Sequence, residues 1–172
     1  QFLMNAIGAY DLKDLSLCGH SMGGLIALDM VLNHNFTAKE LILVNSIYPT
    51  RVADALLAKA KMGNGGAANF IIKYGLYRRL LGMRNAFSEA DDLVMLDDLN
   101  ACNNYELDLN DIKNLDIPIS IILGSKDRLV DLKAVESFID IVPSQTYTME
   151  EVGHFSFFED PEELSRLISM IV

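Results

Sequence analysis

Gly19-His20-Ser21-Met22-Gly23 constrains this chain more than any other stretch. It follows a short apolar run, Leu15-Ser16-Leu17-Cys18, and opens an apolar helical stretch, Gly24-Leu25-Ile26-Ala27-Leu28. A strand must therefore turn sharply into a helix, with a serine at the apex. The spacing predicts that Gly19 and Gly23 are both steric requirements, because a Cβ at either would meet neighbouring backbone in so tight a turn. Ser21 is then expected at the end of a sheet with its Oγ exposed. The backbone N–H of Met22, at the start of the helix, is expected to point where an oxyanion would develop, aided by the helix dipole.

A nucleophilic serine needs a base, and the base needs an orienting acid. The chain has three histidines. His20 is built into the turn and is expected to pack there with a hydrogen bond. His34 falls near the end of the first helix and reads as a surface residue. His154, in Glu151-Val152-Gly153-His154-Phe155, follows the strand-like run Thr146-Tyr147-Thr148-Met149 and is the candidate base. The candidate acid is Asp127, where the apolar run Ile121-Ile122-Leu123 ends in Gly124-Ser125-Lys126-Asp127, with Asp131 a close competitor. Ser21, Asp127 and His154 all lie just past the carboxyl ends of predicted strands, where open parallel sheets build their sites.

The rest of the chain alternates between strand and helix patterns. Strands are predicted over Leu15–Cys18, Leu41–Asn45, Ile119–Leu123 and Thr146–Met149, with helices over about Met22–Asn33 and Leu132–Ile141. The strands are apolar at successive positions, as a sheet covered on both faces requires. In the last helix Asp160 can cap, Pro161 suits the first position and Glu163 can reach back as in a capping box. Its apolar stripe is Leu164, Leu167, Ile168 and Ile171. From about Ser46 to Lys113 the rhythm breaks: the stretch is helical in pattern, is divided by Gly63-Asn64-Gly65-Gly66 and holds no convincing strand. The expected organisation is a core of residues 1–47 and 113–172 with a helical cap, 48–112, inserted over the strand ends. Phe70, Ile71, Tyr74, Leu76 and Tyr77 are candidates to pack that cap down or to line a pocket.

With these motifs the chain resembles an α/β-hydrolase along nearly its whole length. Gly19-His20-Ser21-Met22-Gly23-Gly24 is similar to that family's nucleophile elbow. Gly124-Ser125-Lys126-Asp127 is similar to its acid turn, and Gly153-His154-Phe155 followed by Phe158-Glu159-Asp160-Pro161 to its histidine loop and closing helix. The chain order Ser, Asp, His is also the family's. The resemblance implies a partial parallel-sheet α/β-hydrolase fold of about four strands. It implies a Ser21–His154–Asp127 triad with the Met22 N–H in the oxyanion hole, acting on small or acyl esters with no cofactor and no metal. The same triad on a peptide, thioester or carbon–carbon bond is an open alternative, as is a non-catalytic binding protein on this fold. Nothing here resembles the family's early His-Gly-bearing loop, which carries a second oxyanion donor, so the N-terminal third of the fold is expected to be missing. Strand 15–18 would then offer an unpaired edge, to be covered by that segment or by another copy of the chain.

Charge and cysteine usage narrow the partners. Net charge is −10, from 24 acidic and 14 basic residues, which disfavours nucleic acid or an anionic membrane surface. Lys73, Arg78, Arg79 and Arg84 form a local basic patch that reads as a solvated helix face, and Asp91-Asp92 with Asp97-Asp98 reads as an acidic face without further metal ligands. Cys18 and Cys102 give no disulfide framework, and Cys18 is expected to pack as a small apolar residue. No apolar run approaches the roughly 20 residues a membrane span needs, and the cytoplasm is the default location.

Overall fold

The computed structural model describes residues 2–78 and 91–172. Arg79 and Arg84 of the basic patch lie outside the described residues. Four strands, β1 (Leu17–His20), β2 (Leu41–Val44), β3 (Ile119–Gly124) and β4 (Gln145–Met149), form one sheet in the order β1-β2-β3-β4. Every neighbouring pair is parallel, with Leu17 opposite Leu41, Leu41 opposite Ile119 and Gly124 opposite Met149. Parallel neighbours need a crossover connection, and helices supply it.

The two faces of the sheet follow from the alternation of side chains along a strand. Leu41, Leu43, Ile119, Ile121 and Leu123 point to one side, where they pack with Leu28, Phe138 and Val142. Leu28 belongs to α2 (Met22–Asn33), and Phe138 to a helix over Leu132–Ile141. Ile42, Val44 and Ile122 point to the other side and meet Val152, Leu164 and Leu167. Leu164 and Leu167 come from the helix over Pro161–Ile171. β2 and β3 are buried at every position, which is why β2 reads as an unbroken apolar run and β3 is broken only by Ser120, whose hydroxyl donates to Glu40. Each fully buried Leu or Ile there contributes about 1.5–3 kcal/mol of transfer free energy.

β1 starts two residues later than the apolar pattern predicts and runs through Gly19 and His20. The ladder explains the shift: the Leu17 N–H donates to Glu40 O at 2.8 Å and the Ser21 N–H to Val44 O at 3.0 Å. Pairing with β2 therefore continues to the apex of the turn. Cys18 corrects a second expectation, because its side chain is exposed rather than packed. β1 is the end strand of the sheet, and α1 (Phe2–Ala9) buries no residue of its own, so it leaves the cysteine uncovered.

Between β2 and β3 the described residues form helices and no strand: α3 (Asp54–Lys61), α4 (Gly66–Gly75), α5 (Asp92–Asn104) and α6 (Leu109–Lys113). Leu56, Ala60 and Ala67 nucleate a small cluster with Phe70, Met95 and Leu99. Cys102 and Ile112 instead join the sheet-side core. Asp92 is not part of an acidic face: it is buried and accepts the N–H of Gly65 in the α3–α4 turn. Downstream come α7 (Leu132–Ile141), α8 (Ser156–Glu159) and α9 (Pro161–Ile171). Asp160 caps α9 as expected, accepting the Glu163 N–H at 3.1 Å. The Glu163 carboxylate does not reach back. It pairs instead with Arg166 one turn on, at 2.7 and 2.8 Å, a bidentate geometry a backbone amide cannot match. Among the described residues no helix is long and apolar enough to cross a membrane.

Candidate active site

Ser21 sits between β1 and α2 with φ 51° and ψ −121°, a left-handed backbone rarely held by a residue with a side chain. The ladder bond to Val44 O on one side and the Gly24 N–H donating to Ser21 O at 2.9 Å on the other hold it there. Gly19 is required as expected: a Cβ would fall 2.2 Å from Gly23 O. Gly23 is not, for its Cβ would meet nothing within 4 Å. The second tight position is Gly24, where a Cβ would lie 2.3 Å from Ser46 Oγ. The first turn of α2 is pressed against the residue after β2, and that approach, not the turn itself, demands the glycine.

The three candidate side chains come together. His154 Nε2 lies 3.0 Å from Ser21 Oγ, and its Nδ1 lies 2.8 Å from Asp127 Oδ2. The side chains of His154 and Asp127 are almost fully buried, at 8% and 3% exposure. The other Asp127 oxygen accepts the N–H groups of Leu129 at 2.8 Å and Val130 at 3.2 Å. Burial on its own would raise the pKa of Asp127. The hydrogen bond and positive charge from His154, with the bonds from Leu129 N–H and Asn45, outweigh it and hold the carboxyl below its usual value. Asp131, the competitor, caps α7 by accepting the Lys133 N–H. Met22, first in α2, carries one of the N–H groups that a helix start leaves without an intrahelical partner.

His20 packs with a hydrogen bond, as its place in the turn implies. Its Nε2 donates to His154 O at 2.7 Å, and its ring stands edge-on to Phe157. Burial, then the charge of His154, push its pKa down to about 4. The ring is thus a neutral donor at physiological pH. His34 is the C-cap of α2 and contacts Asp29 at 3.1 Å.

Two residues of the site escape a motif reading. Asn45, buried and at φ 46°, donates Nδ2 to Asp127 Oδ2 at 3.0 Å and to Gly153 O at 3.3 Å. In sequence it only ends an apolar strand; a polar residue directly after four buried ones was the available signal. Glu159, also buried, accepts the Gly153 N–H at 3.0 Å. In sequence it falls within the motif Phe158-Glu159-Asp160-Pro161, one residue before a helix cap, but nothing there marks its carboxylate as a partner of the histidine loop.

Ser21, Met22 and His154 lie in the wall of a cavity of about 500 Å³. Leu56 of α3, Phe70, Ile71 and Tyr74 of α4 and Leu99 of α5 give it apolar walls, and Arg51 and Arg128 are its cationic members. Leu76 and Tyr77 are not among its lining residues.

An end-strand serine at a strained strand–helix turn, with an imidazole and a carboxylate from later strand ends, defines an α/β hydrolase. The sequence pattern of the alpha/beta hydrolase family matches residues 3–167, and the chain belongs to that family. It is similar to a pimeloyl-(acyl-carrier protein) methyl ester esterase from Aromatoleum aromaticum, with 24% identity over 190 residues, 92% of this chain and 74% of that protein. It is similar also to a putative carbamate hydrolase, RutD, from Escherichia coli O157:H7, with 24% identity over 96% of this chain and 68% of that protein. An esterase from Exiguobacterium antarcticum shares the fold with a TM-score of 0.85 at 21% identity, over 98% of this chain and 70% of that structure.

Proposed function

We propose that the chain is a serine hydrolase that cleaves carboxylic esters through an acyl-enzyme on Ser21. The observation that carries this reading is the relay of 3.0 Å from Ser21 Oγ to His154 Nε2 and 2.8 Å from His154 Nδ1 to Asp127, opening on an apolar cavity. His154, donating from Nδ1 to Asp127, presents an unprotonated Nε2 to the serine. It takes the Ser21 proton as Oγ attacks the ester carbonyl, and returns it to the departing alcohol. The Met22 N–H, at the positive end of α2, donates to the tetrahedral oxyanion. Water then attacks the acyl-serine with His154 again as base.

The stretch 48–112, whose described residues form helices and no strand, is read as a cap, because its Leu56, Phe70, Ile71 and Leu99 wall the cavity above the serine. Walls of this kind suit an acyl chain, a small-molecule substrate bound by burial of methylenes at about 0.8 kcal/mol each. A fluorophosphonate should add to Ser21 and to no other residue, with labelling lost in Ser21→Ala. A panel of p-nitrophenyl esters of graded acyl length should be hydrolysed with the same dependence on Ser21. Absence of both labelling and turnover favours the non-catalytic alternative.

A further inference from the structure

The carboxylate of Glu159 bridges two parts of the chain that a hydrolase site needs to keep in register. One oxygen accepts the Gly153 N–H at 3.0 Å, directly before His154. The other accepts the N–H of Tyr77 at 3.0 Å and of Arg78 at 2.9 Å, just past the end of α4. Three backbone donors, that of Gly153 buried and those of Tyr77 and Arg78 partly so, therefore converge on one side chain that is 6% exposed. The two segments also touch directly: the His154 N–H donates to Gly75 O at 2.6 Å. A Cβ on Gly153 would lie 2.2 Å from Gly75 O and 2.8 Å from both Glu159 Oε1 and the Tyr77 nitrogen. Only a glycine lets the histidine loop come this close to the helix end. α4 is the helix whose Phe70, Ile71 and Tyr74 wall the cavity.

We propose that Glu159 is a positioning residue that ties the cavity wall to the catalytic base, so that filling of the cavity and placement of His154 are coupled. The proposal rests on the hydrolase reading of Ser21 and His154. Its chemistry is specific to a carboxylate, which accepts at both oxygens, whereas a glutamine accepts at one and presents an NH2 to the remaining donors. In Glu159→Gln either the Gly153 N–H or the Tyr77 and Arg78 pair must face that NH2. The loop and helix end then part, and a displacement near 1 Å at a catalytic group is enough to cost up to about 100-fold in rate.

The test compares Glu159→Gln, Tyr77→Pro and Tyr77→Ala with the wild-type chain. Tyr77→Pro replaces one donor on the cavity side with a ring methylene that pushes on the Glu159 carboxylate, and Leu76 already holds the extended backbone (φ −88°, ψ 132°) that a following proline requires. Tyr77→Ala removes the half-exposed ring and keeps the N–H. Amide exchange followed by NMR should rise together at Gly153, Tyr77 and Arg78 in Glu159→Gln. With p-nitrophenyl esters, kcat should fall about tenfold or more in Glu159→Gln and several-fold in Tyr77→Pro, with KM within about twofold, while Tyr77→Ala stays near wild type. The rise of kcat with acyl length should flatten in both clasp variants, a change that loss of stability alone does not produce. Unchanged kcat, an unchanged dependence on acyl length, or faster exchange confined to Gly153 overturns the proposal. Exchange is read without turnover. A wild-type chain that neither labels nor hydrolyses therefore defeats the hydrolase reading, while the tie between loop and helix is still decided.

Discussion

Asp127→Asn tests the relay most sharply, because the four donors around the carboxylate leave the amide no comfortable orientation. Oδ2 takes His154 Nδ1 at 2.8 Å and Asn45 Nδ2 at 3.0 Å; Oδ1 takes the N–H groups of Leu129 and Val130. An asparagine keeps one carbonyl oxygen. With its NH2 toward the loop, two backbone N–H groups lose their acceptor, at about 1–3 kcal/mol each. With its NH2 toward His154, the imidazole can adapt by accepting at Nδ1, and only the Asn45 donor is stranded. The second arrangement is the less costly, and it carries the imidazole proton on Nε2, facing Ser21 Oγ. Such a histidine cannot receive the serine proton. The expected loss in kcat is of order 10³–10⁴, with KM little changed, because Asp127 is not part of the cavity lining. Stability should fall by about 1–3 kcal/mol in urea. Asp131→Asn is the matched control: asparagine caps a helix as well as aspartate does, so kcat should stay within a few-fold. Steady-state hydrolysis of a p-nitrophenyl ester by folded protein decides the matter. A kcat for Asp127→Asn within tenfold of wild type, or an equal loss in Asp131→Asn, would refute the assignment.

Gly24→Ala should cost about 1–3 kcal/mol and lower kcat, because its Cβ lands 2.3 Å from Ser46 Oγ, whereas Gly23→Ala, with open space around it, should leave stability equal or higher; thermal melts of the two variants make the comparison. The His20 ring is held neutral in the fold, with its pKa pushed down to about 4 by burial and then by His154. Its contribution is therefore complete above pH 6.5 and is lost as pH falls from 6.5 toward 4, by on the order of 3 kcal/mol; urea midpoints across that window should drop for wild type and stay flatter for His20→Gln. The open edge of β1 should drive self-association of the isolated chain, read as a concentration-dependent mass in sedimentation and reduced in Leu17→Lys; a strictly monomeric chain at all concentrations counts against pairing at that edge.

The sheet and its helices were legible because burial on both faces leaves continuous apolar runs, as in Leu41-Ile42-Leu43-Val44. The three side chains of the proposed relay were legible as candidates because each falls in a short local pattern past a strand end. What periodicity could not deliver was contact between distant segments. Gly23 looked required because it belongs to a local motif, yet the steric demand falls on Gly24, through Ser46 after another strand. Cys18 looked buried because its neighbours are apolar, yet the strand it occupies ends the sheet. β1 runs two residues past its apolar pattern because the ladder with β2, not hydrophobicity, sets where a strand stops.

The same limit explains Asn45 and Glu159. A loop is ordinarily the mobile part of a fold, yet a catalytic base, the role proposed for His154, must be held within about 0.5 Å. Here all four backbone polar groups of Gly153 and His154 are engaged from elsewhere. Glu159 of α8 accepts from Gly153 N–H, and Asn45 after β2 donates to Gly153 O. Gly75, ending α4, accepts from His154 N–H, and His20, ending β1, donates to His154 O. Four separate elements therefore fix one dipeptide; His20 and Glu159 fall inside local motifs, but nothing in the neighbours of Asn45 or Gly75 marks them as part of the site. The imidazole is precise because its backbone is over-determined. The positions most able to disturb it, after the relay residues, are accordingly 20, 45, 75 and 159 rather than the residues flanking it in the chain.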